Sequence, residues 1–280
     1  MNRVSAISII LSLLCISQIS CTKIDREAVV TRNNPHITSI DSLASLSVGN
    51  GEFAFTADVT GLQTFAEQYS KGIPLGTQAQ WGWHTNPNIF GAKPEDALNE
   101  FGYSCQAMPG SPQGRAVDWL RANPHRLHLG NISFLNMEPS DISDIDQILD
   151  LWTGSIASSF KYFDDAVNVT TSCDPEKDMV TFNIHTTAYL PVMICFPYPT
   201  AQHTDDGCEW NFGNHTTELI EAADNVAIFK RTLDNDVYYV KVSWKNAEEP
   251  FIPTRNRVQI NPSADDWSFS VLFSADKPSL

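Results

Sequence analysis

The sequence predicts an all-β fold, a large sandwich of antiparallel strands with a few short helices. Three observations lead to this prediction. Several segments alternate apolar and polar residues with a period of two, short turn signals separate them, and no internal repeat or low-complexity tract is present. The chain has 280 residues, 42% of them hydrophobic, so it is long enough to bury one large core.

The clearest strands lie in the C-terminal half. One face of residues 237–244 (VYYVKVSW) carries only apolar side chains, which are Tyr238, Val240, Val242 and Trp244. The preceding run, NVAIFKRTL, joins this strand through a hairpin turn at residues 234–236. Residues 267–273 alternate in the same way, and residues 151–163, 166–173 and 179–187 also favour strands. One helix is predicted at residues 117–124, and the acidic run SDISDIDQ at residues 140–147 is interpreted as a loop.

Residues 1–21 have the features of a signal peptide. A short positive start precedes an apolar run over residues 4–16, which is too short to span a membrane, and small polar residues follow. The end of this segment, QISC, resembles a relaxed bacterial lipobox with Cys21 as the acylated residue, although Gln18 departs from the motif. We predict a lipoprotein that contacts the membrane only through its lipid anchor, with plain secretion as the alternative. Residues 22–40 are polar and aperiodic and predict a tether, and residues 41–280 form the predicted sandwich domain.

Charge and motifs exclude several classes of function. With 18 Lys and Arg against 33 Asp and Glu, the formal net charge is -15 and no basic patch is present, so nucleic acid is not an expected partner. The chain has no G-x-S-x-G elbow, Gly-rich phosphate loop or H-E-x-x-H motif, and Cys195, His203 and Cys208 fit no closed metal site. We expect neither a cofactor nor a metal. The acidic pairs lie in polar loops, unlike the dry carboxyl pair of a glycosidase.

Removal of the signal peptide leaves four cysteines. They are Cys105, Cys173, Cys195 and Cys208. An exported protein can join such residues in one or two disulfides, in any of three pairings. Partly buried thiols are the alternative, because a domain of this size does not need disulfides, and the sequence leaves both possibilities open.

The strongest candidate for a binding feature is the loop QWGWHTNPN at residues 80–88. Its candidate ligand-binding residues are Trp81, Trp83, His84, Asn86 and Asn88. Sugar rings present apolar C–H faces to aromatic rings and hydroxyls to amides and imidazoles, so this cluster suits a carbohydrate. The alternative interpretation is that the two tryptophans cover the edge of the sandwich.

Seven further stretches are informative when taken together: SLSVGNGEFAFTADVTGLQTF, PLGTQAQWGWHTNPN, NPHRLHLGNISF, LDLWTGSIASSF, CDPEKDMV, CFPYP and KRTLDNDVYYV. In this order they resemble bacterial proteins related to glycoside hydrolase family 65. These six-hairpin glycosidases combine an N-terminal β-supersandwich with a catalytic (α/α)6 barrel. The resemblance covers roughly residues 41–275 and implies a galactose-mutarotase-like β-supersandwich for this chain.

The resemblance also implies a function, with one departure. The family's catalytic groups lie on the barrel, none of them maps onto this sequence, and Leu280 falls where the linker into the barrel would begin. We therefore expect a carbohydrate-binding or active-site-shaping domain that is not catalytic alone, in an exported glycoside hydrolase-like protein of the periplasm, outer membrane or cell surface. By this resemblance the 80–88 loop faces the barrel, and the expected partners are carbohydrate and a barrel in cis or in trans.

Two other functions stay open at this point. In the first, the chain is a structural module that docks a separate catalytic barrel. In the second, it is an enzyme of the mutarotase or lyase type. Enzymes of that type use histidine and carboxylate groups for proton transfer. The candidates would be His125, His128 and His185, none of which has an acid partner that the sequence reveals.

Overall fold

The computed structural model describes residues 24–100, 102–103, 107–200, 207–211 and 213–280. The predicted signal peptide, the predicted acylation site Cys21, and Cys105 lie outside these residues. The described part of the chain contains three short α-helices, which are α1 (Arg26–Thr31), α2 (Ala66–Tyr69) and α3 (Pro112–Ala122), and two 3-10 helices, Pro94–Ala97 and Pro139–Asp141.

Strands make up most of the remaining structure. In chain order they are β1 (His36–Ile37), β2 (Leu46–Gly49), β3 (Phe53–Ala57), β4 (Thr77–Ala79), β5 (Trp83–His84), β6 (Leu98–Asn99), β7 (Gly102–Tyr103), β8 (His125–Arg126), β9 (Asn131–Phe134), β10 (Ile142–Asp150), β11 (Ser155–Tyr162), β12 (Asp165–Cys173), β13 (Met179–Thr186), β14 (Val192–Cys195), β15 (Tyr198–Pro199), β16 (Cys208–Glu209), β17 (His215–Ala223), β18 (Val226–Leu233), β19 (Asp236–Lys245), β20 (Arg257–Ile260) and β21 (Asp266–Ser274).

One large antiparallel sheet forms the first layer of a sandwich. Its nine strands follow the order β1-β10-β11-β12-β13-β21-β19-β18-β17. Two three-stranded sheets, β2-β3-β4 and β20-β14-β9, pack against it through a shared apolar core, and the pair β5-β8 adjoins them. The predicted all-β sandwich is confirmed.

Aromatic side chains join the two layers. The Phe55 ring meets the Phe182 ring edge-on at 5.3 Å between centroids, and Phe53 stacks on Phe273 at 5.9 Å. All four side chains are buried, and each contributes about 1.5 to 3 kcal/mol through its removal from water. The predicted apolar face of residues 237–244 is also buried, because alternate side chains of a strand point to the same side of its sheet.

The acidic run at residues 140–147 forms a strand from Ile142 onward rather than a loop. It supplies most of β10, which pairs with both β1 and β11. The carboxylates are tolerated because they face water: Asp144 bonds to Lys161 at 2.7 Å, whereas Ile145 packs against the core. A bulge between Ser143 and Asp146 interrupts the alternation, which conceals the strand from a period-two pattern.

Two boundaries also differ from the sequence prediction. Helix α3 begins at Pro112, five residues before the predicted start, because Ser111 caps it by accepting a hydrogen bond from Gly114 N at 2.9 Å. Strand β1 lies within residues 22–40, the range predicted as a tether. It pairs with the edge of β10, so the large sheet includes residues 36 and 37.

A buried carboxylate organises the turn that follows β3. Asp58 is fully buried, and its Oδ1 accepts hydrogen bonds from Thr60 N at 2.8 Å and Thr60 Oγ1 at 2.6 Å. Its Oδ2 accepts one from Phe65 N at 2.6 Å. Burial raises the pKa of Asp58 from 3.8 to about 6, although the hydrogen bonds oppose this change. The folded protein therefore binds a proton at Asp58 at a higher pH than the unfolded chain does.

We expect Asp58 to give the stability a measurable pH dependence. As the pH falls from 7 to 4, protonation of Asp58 in the folded state should stabilise the wild type by about 2 to 3 kcal/mol relative to Asp58→Asn, which does not titrate. Urea denaturation of both proteins at pH 7, 6, 5 and 4 measures this difference. A difference that stays constant across the four pH values would contradict the assignment.

Candidate functional site

The 80–88 loop contains a two-residue strand that divides its side chains between two environments. Strand β5 pairs with β8 so that Trp83 lies opposite Arg126 and His84 lies opposite His125. Because neighbouring residues of a strand point to opposite sides, Trp83 is 47% exposed and His84 is 2% exposed. The loop therefore presents one of its large rings to solvent and buries the imidazole.

An arginine fixes the exposed ring. The Arg126 guanidinium carbon lies 4.3 Å from the centroid of the Trp83 ring, within the range of a cation–π interaction. Arg126 Nη1 also donates to Ala79 O at 2.8 Å and to Gln80 O at 2.9 Å. These bonds tie the guanidinium to the backbone after β4, so the Trp83 ring has a rigid neighbour on one side.

A groove of about 620 Å³ adjoins this pair. Its walls and floor include Ser47, Gly49, Glu52, Ala54, Gln78, Gln80 and Arg126. Small residues keep the outer face of the β2-β3-β4 sheet low, and at Gly49 a Cβ atom would lie only 2.4 Å from Phe53 O. The groove thus combines a shallow floor with amide, hydroxyl, carboxylate and guanidinium groups.

Trp81 has a structural position. Its Nε1 donates to Asp178 Oδ2 at 2.8 Å, and its ring lies 6.0 Å from the buried Tyr238 ring. Trp81 is also one of the partly buried residues that pack against the main core. Its contacts attach the loop to the turn between β12 and β13.

His84 lies between two carboxylates. Its Nδ1 is 2.7 Å from Asp236 Oδ2, and its Nε2 is 3.2 Å from Asp234 Oδ2, an ion-pair distance without hydrogen-bond geometry. The side chain of His84 has no exposed surface, and that of Asp234 is 6% exposed. Tyr198 Oη donates to the same Asp234 at 2.8 Å. This network connects the loop to the hairpin between β18 and β19.

The side chains of Asn86 and Asn88 form hydrogen bonds with other residues of the protein. Asn86 Nδ2 donates to Pro199 O at 3.0 Å, and the backbone nitrogen of Asn86 donates to Asn123 Oδ1 at 2.7 Å. The Asn88 amide closes its own loop, because Nδ2 donates to Ala92 O and Oδ1 accepts from Ala92 N, both at 2.8 Å. Of the five candidate residues, Trp83 is therefore the one with an exposed aromatic ring, and this ring packs on Arg126, which lines the groove.

The structure adds groove residues that sequence reasoning missed. Arg126 and Glu52 come from segments far from Trp83 in the chain, and no local pattern links them to it. A signal did exist for Gln78 and Gln80, because their alternation with Thr77 and Ala79 is that of a strand with an outward amide face. That alternation spans only four residues and is easily overlooked.

The three candidate histidines of the enzyme alternative lie apart. His125 Nδ1 donates to Ala122 O at 2.9 Å, and burial lowers the pKa of His125 below its ordinary value. The His128 ring packs edge-on against Trp210 at 5.3 Å. His185 does have an acid partner, Asp266 Oδ1 at 2.7 Å, on the exposed face of the large sheet. None of these three histidines lines the groove.

Among the described residues, neither the cysteines nor potential metal ligands form a second candidate site. Cys173, Cys195 and Cys208 are free thiols, so the thiol alternative applies to these three. Within the described ranges, no group of three or more His, Cys, Asp or Glu side chains is placed to hold a metal ion. His203, which the sequence offers as a possible metal ligand, lies outside the described residues. No helix in the described part of the chain has the length and apolarity to cross a membrane.

Comparison with known proteins supports the fold. No family model and no curated protein matches the chain. The chain is similar to a solved human-microbiome protein described as a kojibiose phosphorylase, with a TM-score of 0.51 and 9% identity over 88% of this chain and 33% of that chain. At this identity the likeness shows a shared fold alone.

A second similar structure is the family GH92 α-mannosidase from Bacteroides thetaiotaomicron, solved in complex with mannoimidazole. It aligns over 86% of this chain and 31% of that chain at 8% identity, but its TM-score of 0.28 is too low to support an argument. The chain therefore spans about a third of the length of either structure.

We expect His84 to be required for stability. His84→Gln should lower the free energy of unfolding by about 2 kcal/mol, because it removes the group that separates two carboxylates, one of them buried. His185→Gln is the matched control, since the side chains of its pair with Asp266 are 59% and 80% exposed, and it should cost less than about 0.5 kcal/mol. Equal effects of the two variants in urea denaturation would contradict this role of His84.

Proposed function

We propose that this chain is a carbohydrate-binding β-sandwich domain of an exported, glycoside hydrolase-like protein and that it is not catalytic on its own. The observation that carries the proposal is the exposed Trp83 ring, which Arg126 holds beside a polar groove. The fold shared with a protein described as a kojibiose phosphorylase is consistent with it.

The chemistry of the groove suits a neutral glycan. The apolar C–H face of a sugar ring stacks on an aromatic ring, and sugar hydroxyls bond to amides and carboxylates such as Gln78, Gln80 and Glu52. The low floor admits a chain of sugars that lies flat on the β2-β3-β4 sheet. The net charge of -15 disfavours polyphosphates and nucleic acids as ligands.

The residues of the 80–88 loop divide into contacting and supporting roles in this proposal. Trp83 contacts the sugar. Trp81, His84, Asn86 and Asn88 hold the loop in place through bonds to other parts of the protein. This division narrows the sequence-based hypothesis, in which all five side chains contact the ligand.

Docking of a catalytic barrel is a second candidate function. Ile89, Phe90, Leu98 and Met108 are 79%, 60%, 51% and 75% exposed, and they follow the candidate loop in the chain. Exposed apolar side chains in one region are typical of an interaction surface. The mass of the native protein in its source, detected with an antibody to this domain, tests whether a barrel is joined in cis. A species much larger than 31.1 kDa supports a joined barrel, and a species near that mass excludes one.

Export and lipid attachment are part of the proposal. They rest on the apolar run at residues 4–16 and on the QISC end with Cys21. Metabolic labelling with a radioactive fatty acid should mark the wild type, whereas Cys21→Ser should stay unlabelled. Labelling of both proteins would contradict attachment at Cys21.

Binding of the wild-type domain to a broad panel of polysaccharides and oligosaccharides tests the proposed function. We expect saturable binding to at least one neutral glycan in affinity electrophoresis, with confirmation by isothermal titration calorimetry. A panel that covers α- and β-linked glucans, mannans, galactans and xylans and gives no binding would contradict the proposal.

A further inference from the structure

A second cavity, of about 440 Å³, lies on another part of the sandwich. Its lining includes Glu67 and Ser70 from the region of helix α2, Asn131, Cys195 and Arg257 from the β9-β14-β20 sheet, and Trp210. It shares no lining residue with the groove beside Trp83. Its volume is within the range of small-molecule sites in proteins.

The floor of this cavity is a row of side chains across three strands. Asn131 lies opposite Cys195, and Cys195 lies opposite Arg257 on its other side. Such cross-strand neighbours are about 5 Å apart and point to the same side of their sheet. Asn131 is held by a hydrogen bond from its Nδ2 to Gln63 O at 3.0 Å. The floor is therefore a fixed surface that combines an amide, a thiol and a guanidinium.

Arg257 brings a positive charge to this mostly apolar cavity. Among the described residues, no ion pair within 4.0 Å involves Arg257, although the chain carries 33 acidic residues against 18 Lys and Arg. The Arg257 charge also affects the thiol of Cys195 in the floor. Burial raises the pKa of this thiol, and the positive charge of Arg257 partly opposes that increase. A guanidinium in such a place attracts a carboxylate, which it binds through two parallel hydrogen bonds.

The remaining groups restrict the shape and charge of a ligand. The Trp210 ring is positioned by an edge-on contact with the His128 ring, at 5.3 Å and 83°. An indole wall suits the apolar face of a ring. Glu67 lines the same cavity, so a second negative charge on the ligand would be repelled there.

We propose that this cavity binds a small ring-containing monocarboxylate, whose carboxylate pairs with Arg257 and whose apolar ring face lies along Trp210. Two classes of ligand share this chemistry, the uronic acids and the aromatic acids. The Asn131 amide and the Ser70 hydroxyl would bond to the hydroxyls of a uronic acid, whereas an aromatic acid would rely on the apolar lining.

Isothermal titration calorimetry with four probes tests the proposal. Glucuronate and benzoate are compared with their uncharged counterparts, glucose and benzyl alcohol. We expect at least one carboxylate to bind in the millimolar range or more tightly, and at least tenfold more tightly than its counterpart. The carboxylate that binds identifies the ring class. Absence of binding by both carboxylates, or equal binding of the charged and uncharged members of each pair, would overturn the proposal.

Variants then locate the site. Arg257→Gln should weaken carboxylate binding at least tenfold, whereas Arg255→Gln, two residues away, should leave it within twofold. Ser70→Trp fills the cavity from its rim and should abolish binding, whereas Gln68→Trp in helix α2 should not. Trp83→Ala should have no effect, which separates this site from the proposed glycan groove. Unchanged binding in Arg257→Gln or in Ser70→Trp would contradict the location.

Discussion

Replacement of Arg231 by alanine is expected to lower the free energy of unfolding by about 3 to 5 kcal/mol. The Arg231 side chain is fully buried in β18. Its Nη1 donates to Thr216 O at 2.8 Å, Thr217 Oγ1 at 2.7 Å and Asn256 Oδ1 at 3.0 Å, and its Nη2 lies 2.8 Å from His215 Nδ1. The truncation would remove the Arg231 donor from all four acceptors, two of which belong to the buried residues His215 and Asn256.

Lost packing contacts should further lower the free energy of unfolding of the Arg231→Ala variant. The guanidinium carbon of Arg231 lies 4.7 Å from the centroid of the buried Phe196 ring, and Nε contacts Tyr238 Oη at 3.4 Å. Alanine would lose this cation–π contact and leave a cavity between two layers of the sandwich. Arg231 therefore joins β17, β18 and the segment before β20 into one unit.

Lys230→Ala is the matched control for Arg231→Ala. Lys230 is the preceding residue of the same strand, so its side chain points to the other face of the sheet, where it is half-buried. We expect a change of less than about 1 kcal/mol. Urea denaturation monitored by tryptophan fluorescence measures both variants. A loss below 1 kcal/mol for Arg231→Ala would contradict the central position that the contacts indicate.

Trp83→Ala should weaken binding of a glycan selected from the panel by about ten- to a hundredfold, because truncation of an aromatic residue that carries much of the binding energy costs about 1.5 to 3 kcal/mol. The fold should be retained, since the Trp83 ring is 47% exposed and its main neighbour, Arg126, has its own bonds to the backbone. Calorimetric titration at equal protein concentrations gives the two affinities.

Trp152→Ala is the control for this loss. Trp152 is 48% exposed, which matches Trp83, but it lies in the turn between β10 and β11, whereas Trp83 packs on Arg126, which lines the groove. Its replacement should change the affinity less than twofold. Equal losses in both variants would mean that the glycan binds exposed tryptophans without a preference for the groove.

The strands were predictable where one face is buried and the other is wet. Tyr238, Val240 and Phe269 follow this rule, and the structure buries them all. The rule fails where the residues of a strand do not alternate regularly between apolar and polar. In β10 the bulge at Ser143 and the outward carboxylates interrupt the alternation, so the strand is defined by its pairing with β1 and β11, which no local pattern reports.

The site was less predictable than the fold, and the reason is distance along the chain. His84 is buried because Asp234 and Asp236, about 150 residues away, meet it through tertiary structure. Trp81 is likewise held by Asp178. Local composition identified the 80–88 loop but could not tell which of its polar groups have partners inside the protein.

A two-dimensional ¹H–¹⁵N NMR spectrum of the tryptophan indoles, recorded during titration with the selected glycan, shows directly whether Trp83 contacts the sugar. The chain has seven tryptophans, so the indole region is sparse enough for assignment by single substitutions. We expect the Trp83 signal to shift progressively and saturate, while the Trp152 and Trp210 signals stay in place. Saturable shifts at other indoles with an unmoved Trp83 signal would contradict this contact.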